Sequence, residues 1–89
     1  MVLDILTPEK AIFSGEIKLI KIPGTTGSFE VMDNHAPIIS SLDKGELKIT
    51  PTKGEDIYYQ IEGGVIEVNN NKVIVLVEKI INWTLSDIP

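Results

Sequence analysis

Ile22-Pro23-Gly24-Thr25-Thr26-Gly27-Ser28-Phe29-Glu30-Val31-Met32-Asp33-Asn34-His35-Ala36-Pro37-Ile38 is the stretch on which the reading of the whole chain turns. It sets two prolines, two glycines and the only histidine between runs of strand-forming residues. Proline holds φ at the value a turn needs, and glycine accepts the positive φ that follows, so Pro23-Gly24 predicts a turn. Gly27 then lets the chain fold back into a strand from Ser28 to Met32. Pro37 removes a backbone donor and biases Ala36 toward extended geometry, so the next strand is expected to begin at an edge or a bulge. The segment reads as a shaped contact loop, held without metal or disulfide.

Outward from this loop, short apolar runs recur with turn residues between them, the pattern of an all-β, two-sheet sandwich. About ten short, mostly antiparallel strands are predicted: Val2 to Leu6, Ala11 to Phe13, Ile17 to Ile22, Ser28 to Met32, Ile38 to Leu42, Glu46 to Thr50, Ile57 to Glu62, Val65 to Val68, Val73 to Val77 and Lys79 to Trp83. Ile57, Tyr59 and Ile61 alternate with Tyr58, Gln60 and Glu62, which predicts one packed and one wet face. Asp43-Lys44-Gly45 and Pro51 to Asp56 read as hairpin loops, and Asn69-Asn70-Asn71 supplies residues that tolerate left-handed backbone. Gly63-Gly64 marks either a bulge or the close approach of another backbone. Phe13 and Tyr59 are expected in the core. Phe29 fits either core or anchor, and Trp83 either closes one end or belongs to a docking surface.

Composition bounds what such a domain does. At 89 residues the chain holds a single domain, residues 1–89, with 43% hydrophobic and 24% charged residues, an ordinary globular balance. The net charge is -5 and the basic residues are all lysines, spread among acids, so no nucleic-acid partner is expected. No apolar run approaches the ~18 residues that span a bilayer, and no direct membrane insertion is expected. With no cysteine and one histidine the chain lacks a zinc ligand set, and no metal or cofactor is expected. The absence of cysteine and of a basic N-terminal signal makes a cytosolic protein the simplest reading. Ser28, Ser40 or Ser41 with His35 and Asp33 contain the ingredients of a nucleophilic triad, but nothing in their spacing favours it. His35 is read instead as a hydrogen-bonded turn residue or a protein contact.

Three blocks, in this order, carry a resemblance that covers nearly the whole chain. They are Leu3-Asp4-Ile5-Leu6-Thr7-Pro8-Glu9 with Phe13-Ser14-Gly15-Glu16, then Pro23 to Phe29 with Asn34-His35-Ala36-Pro37-Ile38, then Ile61-Glu62-Gly63-Gly64-Val65-Ile66-Glu67-Val68. Together they resemble the N-terminal β-sandwich domain of the epsilon subunit of F-type ATP synthases. Many members carry glycine where Glu30 stands and Pro-Gly where Asp33-Asn34 stands. Longer members continue into a pair of C-terminal helices that bind ATP or block rotation, whereas this sequence stops at Pro89, so a short form without either property is expected.

The resemblance implies a non-catalytic rotor subunit of the central stalk. It would pack on the gamma subunit, rest on c-ring loops at the cytoplasmic face of a bacterial inner membrane, and couple proton-driven rotation to ATP synthesis. It places Ser28, often acidic in relatives, opposite the ring and His35 near the junction of gamma and ring. Thr7, Pro8, Phe29, Glu30, Pro37, Ile38 and Ile39 are implied as neighbouring contacts. With serine at position 28, any ion pair to the ring falls to Glu30 or Asp33. The isolated chain is expected to be a monomer with one apolar patch. The rival reading is a free-standing β-sandwich module for a peptide or carbohydrate, disfavoured by the few aromatics available for sugar stacking.

Overall fold

The computed structural model describes residues 1–80, which form eight β-strands. They are β1 (Val2–Leu6), β2 (Ala11–Gly24), β3 (Gly27–Met32), β4 (Ile38–Leu42), β5 (Gly45–Pro51), β6 (Ile57–Ile61), β7 (Gly64–Asn69) and β8 (Lys72–Leu76). No helix among the described residues is long and apolar enough to cross a membrane.

The long β2 builds the two layers by belonging to both. Its first half pairs with β1, and the sheet runs on through β8 and β7 to β4. Its second half pairs with β3 on one edge and with β5 on the other, and β5 pairs with β6. The crossing point carries a register shift between Ile17 and Leu19 against β5. One extra residue there twists the strand and resets its alternation, so buried Ile17 is followed by buried Ile20 and Ile22. All pairings are antiparallel except β1 with β8.

Between the layers lies one core. Leu3 and Ile5 of β1, Ile66 and Val68 of β7, and Val73 and Val75 of β8 face Ile20, Ile22, Val31, Leu47, Ile49 and Ile61 from the other side. Each alternates with outward residues at the period of a strand. Burying a side chain of this size contributes about 1.5 to 3 kcal/mol, which is what fixes the register against slippage.

The sheet differs from the sequence expectation at four places. Ala11–Phe13 and Ile17–Ile22 belong to one strand, because Ser14-Gly15-Glu16 stays extended against Val2, Leu3 and Asp4. Pro23-Gly24 does not turn: both residues pair with β3, and the turn falls on Thr25-Thr26. Glycine is needed at 24 for space, since a Cβ there would sit 2.7 Å from the Gly27 carbonyl oxygen and from the Phe29 ring. Asp43-Lys44 is a corner between layers instead of a hairpin, since β4 pairs with β7 and β5 with β2 and β6. The outer side of β6 is half-covered at Tyr58 and Gln60, not wet.

Other expectations agree. Asn70 and Asn71 form the β7–β8 turn with φ of 50° and 61°. Gly63-Gly64 joins the layers where the backbone of β8 comes close, and a Cβ on Gly64 would collide with the Leu76 carbonyl oxygen. Of the strand expected at Lys79 to Trp83, Ile80 bridges to Ile61. Lys79 itself is not in a strand, and residues 81–83, Trp83 included, lie outside the described residues.

Candidate functional site

Among the described residues β3 has one partner, β2, and its other edge and its outer side are open. Strand alternation sends Phe29 and Val31 inward and Ser28, Glu30 and Met32 outward. Val31 is fully buried and Phe29 packs against the core and over Gly24. Phe29 therefore shapes the strand, while Ser28, Glu30 and Met32 form its exposed stripe, with Met32 54% exposed. Met32 is an outward residue that the sequence reading did not single out. Glu30 faces Lys21 across the β2–β3 pair.

His35 continues the stripe just past the end of β3. Its backbone N–H donates to the Met32 carbonyl oxygen at 3.1 Å, and its Nδ1–H donates to the Ala36 carbonyl oxygen at 2.7 Å. Ser28 and Met32 are separated by roughly 13 Å of strand, and His35 follows Met32, so the two positions that the resemblance implies at or near the ring, Ser28 and His35, fall at opposite ends of β3.

The line is anchored from the far layer. The Asn34 N–H donates to Asn71 Oδ1 at 2.7 Å, and Asn71 Nδ2 donates to Asp33 Oδ1 at 3.0 Å. The N-terminal ammonium of Met1 donates to the same Asp33 oxygen at 3.2 Å and to Glu16 Oε2 at 3.3 Å. The Asn71 amide first, then the ammonium, hold the Asp33 carboxyl below the usual carboxylate range. The Asp33 hydrogen bond is likewise the largest cause raising the Met1 ammonium above its ordinary value. Asn34 adopts φ of 63°, a backbone state that asparagine tolerates. Asn71 is thus a positioning residue for the loop, invisible in the sequence because its partners lie 37 and 38 residues away.

These contacts leave the triad ingredients apart. Asp33 is engaged with Asn71 and Met1, Ser28 sits at the opposite end of β3, and the Ser40 hydroxyl donates to the Ser41 carbonyl oxygen. Among the described residues no group of three potential ligands converges on a metal position.

The remaining implied contacts divide into two further places. Pro37 leads into β4, where Ile38 packs on the core and Ile39 is 73% exposed. Thr7 and Pro8 lie on the β1–β2 connection, which Thr7 closes on itself: its Oγ1 donates to the Lys10 carbonyl oxygen at 3.1 Å and accepts the Lys10 N–H at 3.2 Å. Together with Gly63, Gly64, Val65 and Leu76 they border a mainly apolar cleft of about 780 Å³. The length of β2 separates Thr7 and Pro8 from Ser28, which pairs with Pro23 near that strand's far end.

The described residues form a two-layer β domain, with the singled-out residues on β3, the turn that follows it, the start of β4 and the β1–β2 connection. Comparison with known proteins names the family. A family model described as ATP synthase, Delta/Epsilon chain, beta-sandwich domain matches residues 1–83, and the chain belongs to that family. It is 41% identical over 78 residues to the ATP synthase epsilon chain of Chlorobium limicola, spanning 88% of this chain and 89% of that one. Against the ATP synthase epsilon chain of Alkalilimnicola ehrlichii it is 37% identical over 75 residues, which is 84% of this chain and 54% of the relative. The fold matches a chain in the Euglena gracilis mitochondrial ATP synthase, OSCP/F1/c-ring in rotational state 1, with a TM-score of 0.88 at 23% identity, over 100% of this chain and 56% of that one. It also matches a chain of the Tetrahymena thermophila mitochondrial ATP synthase central stalk/c-ring, with a TM-score of 0.78 at 22% identity, over 92% and 66% of the two chains.

Proposed function

We propose that this chain is a non-catalytic rotor subunit of an F-type ATP synthase, linking the gamma subunit to the c-ring in the central stalk and coupling proton-driven rotation to ATP synthesis. It works as a peripheral part of the complex at the cytoplasmic face of a bacterial inner membrane. The observation that carries the reading is family membership across residues 1–83 together with the open β3 stripe of Ser28, Glu30 and Met32 leading to His35. The stripe lies on the ring loops, with Glu30 as its free acid, because Asp33 is already tied to Asn71 and Met1. A rigid slab suits this work: a close-packed interior resists compression, so torque passes through it with little deformation.

Two measurements test the reading. Mixed with the gamma subunit of its host, the chain forms a stoichiometric complex burying at least ~800 Å² per partner. Membranes depleted of the chain lose ATP-driven proton pumping, and adding the chain restores it. Full pumping without the chain would refute the proposal.

A further inference from the structure

Among the described residues, β4 uses one of its edges only at its C-terminal end, where it meets β2. Two independent observations fix which way its backbone groups point. Thr25 N–H donates to the Ser41 carbonyl oxygen at 3.3 Å and Asp43 N–H donates to the Pro23 carbonyl oxygen at 2.6 Å, so Ser41 and Asp43 face β2. On the other side, Asn69 and Lys72 flank the two-residue β7–β8 turn, so Asn69, Glu67 and Val65 bond to β8 while Val68, Ile66 and Gly64 turn to Ile38, Ser40 and Leu42. Both routes send the N–H and C=O of Ile39 and the N–H of Ser41 away from β7. β2 meets β4 only at Gly24 and Leu42, so among the described residues these three groups have no partner.

Open edges are ordinarily blunted by charge, proline or a bulge within the strand. β3, open along one edge among the described residues, carries Glu30 and turns into Asp33. β4 reads Ile38-Ile39-Ser40-Ser41-Leu42, uncharged and in unbroken register with β7. On its outer side, exposed Ile39 pairs with Glu67, and Pro37, Ile38, Val68 and Asn69 complete a shallow cleft of about 410 Å³.

We infer that β4 receives an extended segment of the gamma subunit as an added strand. The inference rests on the rotor reading and specifies how that partner is held. The incoming backbone bonds to Ile39 N–H and C=O and to Ser41 N–H, and its outward side chains cover Ile39 with an aliphatic group and meet Glu67 with a basic one. The chain's net charge of -5 opposes pairing with a second copy of itself and favours a basic segment.

Amide hydrogen exchange of the free chain and of its complex with recombinant gamma subunit tests this. In the complex, exchange at Ile39 and Ser41 slows by at least about a hundredfold, while both amides exchange freely in the isolated chain. Ile39→Pro, which deletes the outward N–H and leaves the β7 ladder intact, weakens gamma binding by about tenfold, the scale of one hydrogen bond. Ile39→Ala keeps the backbone and weakens it less. A complex that forms with both amides unprotected overturns the added strand and leaves the rotor reading standing. Failure of any complex overturns both. Protection already present in the free chain, or protection that grows with the chain's own concentration, assigns the edge to this chain or its copy and overturns the proposal.

Discussion

β3 and β4 follow each other in the chain, and each leaves a stretch of edge open among the described residues, all of one edge in β3 and the start of one in β4, yet the two are finished in opposite ways. β3 shows solvent a mixed stripe of serine, glutamate and methionine, and its exit is tied down by Asp33, Asn34 and Asn71. β4 shows bare backbone and an isoleucine 73% exposed. Five residues, 33–37, separate them. The contrast teaches that an edge guarded by side chains suits contact by surface, and an unguarded edge suits contact by main chain.

The largest expected effect strikes the ground on which β4 stands. Gly64→Val drives a side chain into the Leu76 carbonyl oxygen and Val77, so chemical denaturation should show a loss of about 3 kcal/mol or more. Unchanged stability would mean that the β6–β7 corner tolerates far more than its geometry indicates. Next comes Phe29→Ala, which removes the ring packed over Gly24 from the underside of β3 and should cost about 2 kcal/mol in the same experiment.

Smaller still is Asn71→Gly, which keeps the left-handed backbone and removes the amide that holds the loop. A loss of about 1 kcal/mol is expected. Because the folded Asp33 carboxyl titrates below its unfolded value, its contribution is present above about pH 4 and disappears as pH falls through the folded value. In Asn71→Gly that acid-range slope flattens, and an NMR titration of the Asp33 carboxyl moves toward the ordinary value. A titration identical to that of the parent chain would show that the Met1 ammonium alone sets it.

The smallest effect on stability belongs to Ile39→Ser, which should stay within about 0.5 kcal/mol because the side chain packs on little of its own chain. A larger loss would show that the β4 edge is not free at Ile39.

Much of this arrangement was legible in the sequence. Leu3 with Ile5, Leu47 with Ile49 and Val73 with Val75 alternate strictly, and β1 and β4 begin and end where that alternation indicates. Asn70-Asn71 announces its turn because few residues accept that backbone. The failures share a cause, namely partners distant in sequence. Ser14-Gly15-Glu16 looks like a break until β1 lies beside it, and Pro23-Gly24 looks like a turn until Phe29 and Gly45 pack on it. Asp43-Lys44 has a hairpin's length, but its flanking strands belong to different layers. Within the candidate site, the shared outward side of Ser28, Glu30 and Met32 on β3 follows from alternation. The clamp of Met1, Asp33 and Asn71 does not, because it joins residues from three separate parts of the chain.

Stepwise footprinting in solution tests the central claim most directly. The free chain, its complex with gamma, and the complex with gamma and c-ring are compared for labelling of Glu30, Met32 and His35, alongside exchange at Ile39. Protection of Ile39 on adding gamma, followed by protection of Glu30, Met32 and His35 only when the ring is added, is the predicted result. Labelling of the β3 stripe that stays unchanged in the fully assembled rotor would contradict the account.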